Sequence, residues 1–365
     1  MKYDVLPSRN TPAYLQLYRQ LRDDIVNEIY PYRSKLPSKR LIAAETGVSI
    51  ITVEHAYALL CDEGYAEARQ RSGYFVIFRI DDGFASSAED KAKHIFPSAH
   101  HTETTADFPV SVLAKAMRTV LSNMGDSILD RSPNLGCMEL RHAIGKYLAR
   151  SRGITARPEQ IIIGSGSEQL YGRIVNLLGR DKVYAIESPS YKKIEQVYSA
   201  SDVKLEKLPL GAEGIDSASL NACRADVLHI SPYRSYPTGV TASASKRHEY
   251  LRWAGQAGRF LVEDDFESEF SLSQKAEETL FSHTDCDNVI YMNTFSKTVS
   301  PSFRVSYMIL PESLIPQYND RLGFYACTVP TYMQFVLAEL ITGGDFERHI
   351  NRVRRAKRRE LSAGK

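Results

Sequence analysis

Residues 161–179 read IIIGSGSEQLYGRIVNLLG. The isoleucine run is short and wholly apolar, as expected of a strand buried on both faces. A small-residue turn follows, and then an apolar helix. Such a turn presents free backbone N–H groups at a helix N-terminus, which suits a phosphate. The Gly-x-Gly is weak by itself. A dinucleotide fingerprint wants glycine at 169, where Gln169 stands, and a tight turn without a ligand is the alternative.

The surroundings of this stretch decide between the two. VYAIESPSY (183–191) is a second strand with an aromatic, Tyr191, at its C-terminal end. VLHISPYRSYPTGV (227–240) is a third, ending in a Pro-Thr-Gly turn. RFLVEDDFESEF (259–270) is a fourth, with acids where its apolar run stops. VIYMNTFSKTVSPSFRVSYMIL (289–310) is a fifth, carrying Ser296-Lys297 and then Arg304. The fold class is α/β, a mostly parallel sheet with helices on both faces. In such sheets ligands collect at the strand C-terminal ends.

That edge gathers a phosphate turn, an aromatic, an acid, a lysine and an arginine. The set fits pyridoxal 5′-phosphate. A lysine is needed as Schiff-base partner, and an acid keeps the pyridine nitrogen protonated so that the ring can draw electrons. An aromatic stacks on the ring, while a hydroxyl, an arginine and a helix N-terminus hold the phosphate. A lone Ser-Lys is more often structural; the ordered set points to a cofactor site.

The first 78 residues have a different character. Thr11 and Pro12 make a helix start, as cap and first-turn residue. Tyr14, Leu17/Tyr18, Leu21, Ile25 and Ile29 recur at helical spacing, and Pro31 closes the run. LPSKRLIAAETGVSIITVEHAYALLCDEGY (36–65) holds two short helices, capped by Ser38 and Ser49 and joined through Gly47: a helix-turn-helix. Val53, Ala56/Tyr57 and Leu60 face inward. Ser49, Ile50, Thr52 and His55 face away, where a recognition helix presents base-reading side chains, with Lys39 and Arg40 on the preceding helix. GYAEARQRSGYFV (64–76) reads as a hairpin turning near Ser72-Gly73, with Arg69 and Arg71 near its tip, as in a wing that touches phosphates or the minor groove. A small three-helix interaction domain is the plainer alternative.

Between the two regions, IDDGFASSAEDKAKHIFPSAHHTETTADFP (80–109) is rich in Ser, Ala, Asp and His and reads as a linker. His94, His100 and His101 lack a carboxylate or cysteine at ligand spacing, so no metal site is expected. The domains are therefore 1–78, a winged helix-turn-helix; 79–106, a linker; and 107–365, the cofactor-binding domain.

Composition narrows the class. The chain has 365 residues, too many for one ordinary core. No apolar run approaches the ~18 residues of a membrane helix, and MKYDVLPSRN lacks the apolar core of a signal peptide, so a cytoplasmic protein is expected. Five scattered cysteines with no C-x-x-C pair suggest neither disulfides nor zinc. The net charge is +2, far from that of a non-specific nucleic-acid coater. The excess is local: from Asp345 onward there are eight Lys/Arg against three Asp/Glu. RVRRAKRRE there is either a nucleic-acid patch or, more simply, the solvated face of a helix.

The N-terminal segment resembles the winged helix-turn-helix of GntR-family bacterial regulators through AYLQLYRQLRDDI, LPSKRLIAAETGVS, TVEHAYALLCDEGY and RSGYFV. That family usually has arginine where Ile50 stands, and often asparagine at Ile51. The region from about Gly136 resembles fold-type I aminotransferases, through NLGCMELRHAIGKYLARSRGI, the phosphate turn, ESPSY, YPTG, EDDFESEF and TFSKTVSPSFR. The combination resembles the MocR subfamily of GntR regulators. By resemblance, Lys297 is the aldimine lysine and Arg304 the phosphate arginine. Ser296, Ser167 and the backbone of Gly166 and Glu168 add phosphate contacts. Tyr191 stacks on the ring, and Asp264, favoured over its neighbour Asp265, pairs with the pyridine nitrogen. Phe266 replaces a usual tyrosine, Arg234-Ser235 a usual His-Gln, and Glu168 a usual glutamine. FERHINRVRRAKRREL resembles a helix that leads into a smaller C-terminal domain, which in the family supplies the arginine for a substrate carboxylate. The chain ends at SAGK, so the reading expects a shortened domain and assigns that role to no residue here.

The leading expectation is a transcription regulator: a homodimer that binds operator DNA and senses pyridoxal phosphate, or a small amino compound forming a new aldimine with it. Two alternatives stand beside it: a true aminotransferase with an accessory head, and a DNA-binding regulator that no longer holds the cofactor.

Overall fold

Ser38 and Ser49 each accept a hydrogen bond from the backbone N–H three residues on, Leu41 at 3.2 Å and Thr52 at 3.1 Å. These are the caps of α2 (Lys39–Thr46) and α3 (Ile50–Asp62), and Gly47 turns between them in the left-handed region at φ 72°. The structure, a computed structural model, describes residues 3–5, 11–70, 72–79, 108–256, 258–271, 279–282 and 287–363. Arg71 of the wing lies outside these residues, as do His94, His100, His101 and all but the first residue of the expected linker. The chain divides into two compact units, Met1–Ala99 and His100–Lys365.

In the first unit, α1 (Ala13–Val26) packs Leu17, Tyr18, Leu21 and Ile25 against Val53, Ala56, Tyr57 and Leu60 of α3. Strands β1 (Ala66–Arg69) and β2 (Gly73–Val76) form the antiparallel wing. Two details differ from the sequence reading. Pro12, not Thr11, occupies the cap position of α1, and no side chain caps it, because the proline ring has no oxygen to accept a hydrogen bond. The helix stops at Val26, so Ile29 does not join its apolar face and is 55% exposed.

The second unit is a sheet of eight strands in the order β3-β10-β9-β8-β7-β4-β5-β6. They are β3 (Ile161–Gly164), β4 (Val183–Ser188), β5 (Lys204–Gly211), β6 (Gly214–Ile215), β7 (Val227–Ile230), β8 (Phe260–Asp264), β9 (Val289–Thr294) and β10 (Ser306–Ile309). The run β5-β4-β7-β8-β9 is parallel. β10 returns antiparallel between β9 and β3, and β6 closes the other edge antiparallel. Around the sheet run α4 (Val110–Met124), α5 (Met138–Ser151), α6 (Ser167–Leu178), α7 (Lys192–Ala200), α8 (Ser217–Ala222), α9 (Ala244–Ala254), α10 (Ile315–Leu322), α11 (Thr331–Thr342) and α12 (Asp345–Ala363).

The isoleucine run explains the layering. Ile161 and Ile163 enter the core beneath α5 and α11, whereas Ile162 enters the core beneath α6 and α10. All three are essentially fully buried. At about 1.5–3 kcal/mol per buried side chain, this one strand ties both helical layers to the sheet. No described helix is long and apolar enough to cross a membrane.

Candidate cofactor site and DNA-reading surface

At the C-terminal edge of the parallel strands lies a cavity of about 230 Å³, lined among others by Ser167, Glu168, Tyr191, Asp264, Ser296, Lys297 and Arg304. Seven of the eight expected cofactor residues thus face one space. The eighth, Gly166, caps α6 at φ 100°, and a Cβ there would collide with the Arg304 guanidinium. Glycine is favoured at this position by its conformation, and any side chain there would also have to push the guanidinium aside.

The acid end is geometrically resolved. Asp264 and Asp265 are consecutive at the end of β8, so their side chains point to opposite faces. Asp264 lines the cavity; Tyr171 on α6 donates to its Oδ2 at 2.6 Å, and His229 Nε2 lies 3.5 Å from the same oxygen. Its Oδ1 is buried without a partner among the described residues. Asp265 points away into a buried ion pair, 2.9 Å from Arg152, and accepts from Tyr291 Oη at 2.7 Å. His229 is itself set by a hydrogen bond of 2.7 Å between Nδ1 and Tyr198 Oη.

Lys297 follows β9 and is half-buried; among the described residues its ammonium has no hydrogen bond or ion pair. The turn that carries it is held by hydroxyls. Ser296 N donates to Thr294 Oγ1 at 3.1 Å, Ser306 Oγ donates to the same atom at 2.9 Å, and Ser167 Oγ lies 3.4 Å from Ser306 Oγ. Arg304, in the left-handed region at φ 48°, directs its guanidinium to Glu168, with Nη2 2.5 Å from Oε2. Lys193 on α7 reaches the other oxygen of Glu168 at 2.7 Å. Partial burial works against ionisation of Glu168, but these two cations outweigh it and hold the carboxyl at about 2. Tyr191 stands 37% exposed at the mouth, edge-on to Tyr236 with ring centroids 6.0 Å apart.

On the first unit, Ser49, Ile50 and His55 are exposed along α3, and Arg40 is exposed on α2. Thr52 is half-buried, its hydroxyl 2.9 Å from that of Ser49, so this pair serves the helix cap. Lys39 is bound to Glu54 at 2.8 Å, and Arg69 to Glu67 at 2.6 Å while lying over the Phe75 ring. Ile51, where the family often has asparagine, is 67% exposed and extends the apolar start of α3.

Residues 101–362 match the family described as aminotransferase class I and II, and residues 13–76 match the bacterial regulatory proteins of the gntR family. The HTH-type transcriptional regulator YdeL of Bacillus subtilis is 32% identical over 98% of this chain and 80% of its own length. The probable rhizopine catabolism regulatory protein MocR of Rhizobium meliloti is 25% identical over 95% of this chain and 75% of its own. The chain belongs to the MocR-type GntR regulators. Among solved structures, the kynurenine aminotransferase of Pyrococcus horikoshii in complex with PMP superposes with a TM-score of 0.62 at 25% identity over 68% of this chain. The chain spans 64% of that enzyme's length, just under two thirds.

This MocR-type protein is thus an HTH-type regulator fused to an aminotransferase-like domain, and the family and fold imply pyridoxal 5′-phosphate as cofactor. Its cavity suits that group. The orphaned Asp264 Oδ1 is an acceptor in want of a cationic N–H, and an unpartnered buried acceptor is costly. Lys297 is an amine with no partner among the described residues. Gly166 leaves room beside Arg304 at the start of α6. Tyr171, Ser231, Tyr236 and Thr294 also line the cavity and His229 lies beside Asp264, and the sequence does not single them out. Tyr171 had a signal, since it follows Ser167 by one helical turn and so shares its face. Among the described residues no cluster of His, Cys, Asp and Glu could hold a metal ion.

Proposed function

We propose that the head of this regulator binds operator DNA through α3 and the wing, while the aminotransferase-like unit holds the cofactor and reports its state to the head. The observation that carries the reading is a partnerless lysine amine and a partnerless buried carboxylate oxygen in one cavity. Lys297 is the residue that links to the cofactor. Asp264 holds the proton on the ring nitrogen, and Tyr171 keeps its carboxylate in place with His229 alongside. Tyr191 lies against the ring. Arg304, Ser296, Ser167 and the N–H groups of Gly166 and Glu168 receive the phosphate. When bound, the cofactor supplies an aldehyde that condenses with amines and a ring that withdraws electrons.

The sensed ligand is the cofactor itself or a small amino compound that reacts with it. Either alters DNA affinity only so far as it binds two arrangements of the protein unequally. We propose a cytoplasmic homodimer, because two heads match a two-part DNA site.

The test is an absorbance spectrum of the protein with added cofactor, beside Lys297→Ala. A visible band in the wild type alone, fixed by borohydride onto Lys297, with a cofactor-dependent change in DNA affinity, is the expected result. No band at saturating cofactor overturns the reading.

A further inference from the structure

The phosphate seat is built from three segments: the start of α6, the start of α7 and the turn after β9. In the structure a carboxylate sits in it. Glu168 bridges Arg304 at 2.5 Å and Lys193 at 2.7 Å, using both oxygens. The two cations come from segments 136 and 25 residues away in sequence, so the bridge is a tertiary feature and not a local accident. The Ser167 hydroxyl beside it belongs to a chain with the Ser306 and Thr294 hydroxyls. Arg304 is the guanidinium that lies against Gly166 at the start of α6. It is therefore already neutralised at the spot where an entering anion needs it.

Resting on the cofactor reading above, we propose that Glu168 is an internal counter-anion of the phosphate seat, which the phosphate must displace from Arg304. Lys193 then keeps the released carboxylate. The consequence concerns regulation. A phosphate binding to free Arg304 gains the whole ion pair, whereas here it gains only the difference between two anions. The cofactor is thereby held loosely enough to exchange, and pyridoxal 5′-phosphate itself becomes the sensed ligand. A neutral residue at 168 gives a seat that stays filled. The held-down acidity of Glu168 agrees, since the carboxylate remains a competitor across the whole neutral range.

The discriminating experiment compares two ligands on two proteins. Pyridoxal 5′-phosphate and pyridoxal, which lacks the phosphate, are titrated into the wild type and Glu168→Gln at equilibrium, read by absorbance. The Gln side chain keeps the shape and removes the charge. The phosphorylated ligand should bind Glu168→Gln about two- to fivefold more tightly, as expected for a partly exposed ion pair that no longer has to be broken. Pyridoxal should bind both proteins alike, which also reports that the variant's site is folded. Equal affinity of the two proteins for the phosphorylated ligand overturns the inference and leaves the cofactor reading standing. So does an equal shift for both ligands. Failure of both proteins to bind the phosphorylated ligand overturns the cofactor reading and this inference with it.

Discussion

Replacing Asp264 by asparagine keeps the shape of the side chain and removes its charge, and the structure allows the loss to be worked out. Oδ2 is occupied by Tyr171 at 2.6 Å, and Oδ1 has no partner among the described residues. In the function proposed above, the cofactor's ring nitrogen is the group that meets Oδ1, and a hydrogen bond to a charged group contributes about 1.5–3 kcal/mol. Asp264→Asn should therefore bind the cofactor about 10- to 150-fold more weakly in an equilibrium absorbance titration. The matched control is Asp265→Asn, one residue along. Asp265 and Arg152 are 5% and 7% exposed, so removing the acid's charge strands a buried guanidinium. That change should cost about 3–5 kcal/mol of stability. Urea unfolding measures it through the chain's single tryptophan, Trp253, which lies in this unit. Cofactor affinity should stay within about threefold of the wild type for Asp265→Asn, since a shift that small is under 1 kcal/mol. If Asp264→Asn binds as the wild type does, or if Asp265→Asn alone weakens binding, the assignment of the two faces is wrong.

Two further outcomes follow from the same geometry. Burial raises the Glu187 carboxyl to about 7 in spite of its hydrogen bond from Ser235, so the folded state holds this proton more tightly than the unfolded chain. Stability from this group is full below the unfolded value near 4.5 and is lost as pH rises through 7, by about 3 kcal/mol. Glu187→Gln should flatten the fall in urea stability between pH 5 and 8, and an unchanged slope would refute it. Glu263 and Glu269, also raised by burial, to about 8 and about 7, add slopes of the same sign that persist in the variant. On the head, Ile50 is 47% exposed at the start of α3. Ile50→Arg should tighten DNA binding and steepen its salt dependence by about one counterion; identical affinity and slope at several salt concentrations would refute that.

What could be read from the sequence was what is local or periodic. Ser38, Gly47 and Ser49 act within a turn of their own position, so their roles were visible in the order of residues. The isoleucine run and the small-residue turn announced a buried strand and a helix start. The end of α1 is not legible in the sequence, because Ile29 keeps the helical spacing although the helix stops at Val26. Strand alternation says that Asp264 and Asp265 part company, but with both faces of β8 buried it does not say which aspartate meets the cavity. Arg152, 113 residues from Asp265, makes that choice. His229 was hidden for a related reason: on β7 it reads as one polar residue in an apolar strand, and only the sheet order brings it to Asp264. The carboxylate in the phosphate seat was visible as an unusual residue type, but its two cations come from other parts of the chain.

The end of β8 is pinned from both sides of the sheet. One residue is anchored in the helical layer of Tyr171, and the next in the layer that holds Arg152 and Tyr291. A strand clamped this way cannot roll about its axis without breaking a buried bond on one face or the other. The opposite end of the cavity has no such clamp, for Arg304 and Lys193 are about half exposed. The cavity thus has one end held by buried bonds and another held by half-exposed ion pairs, which water and salt weaken.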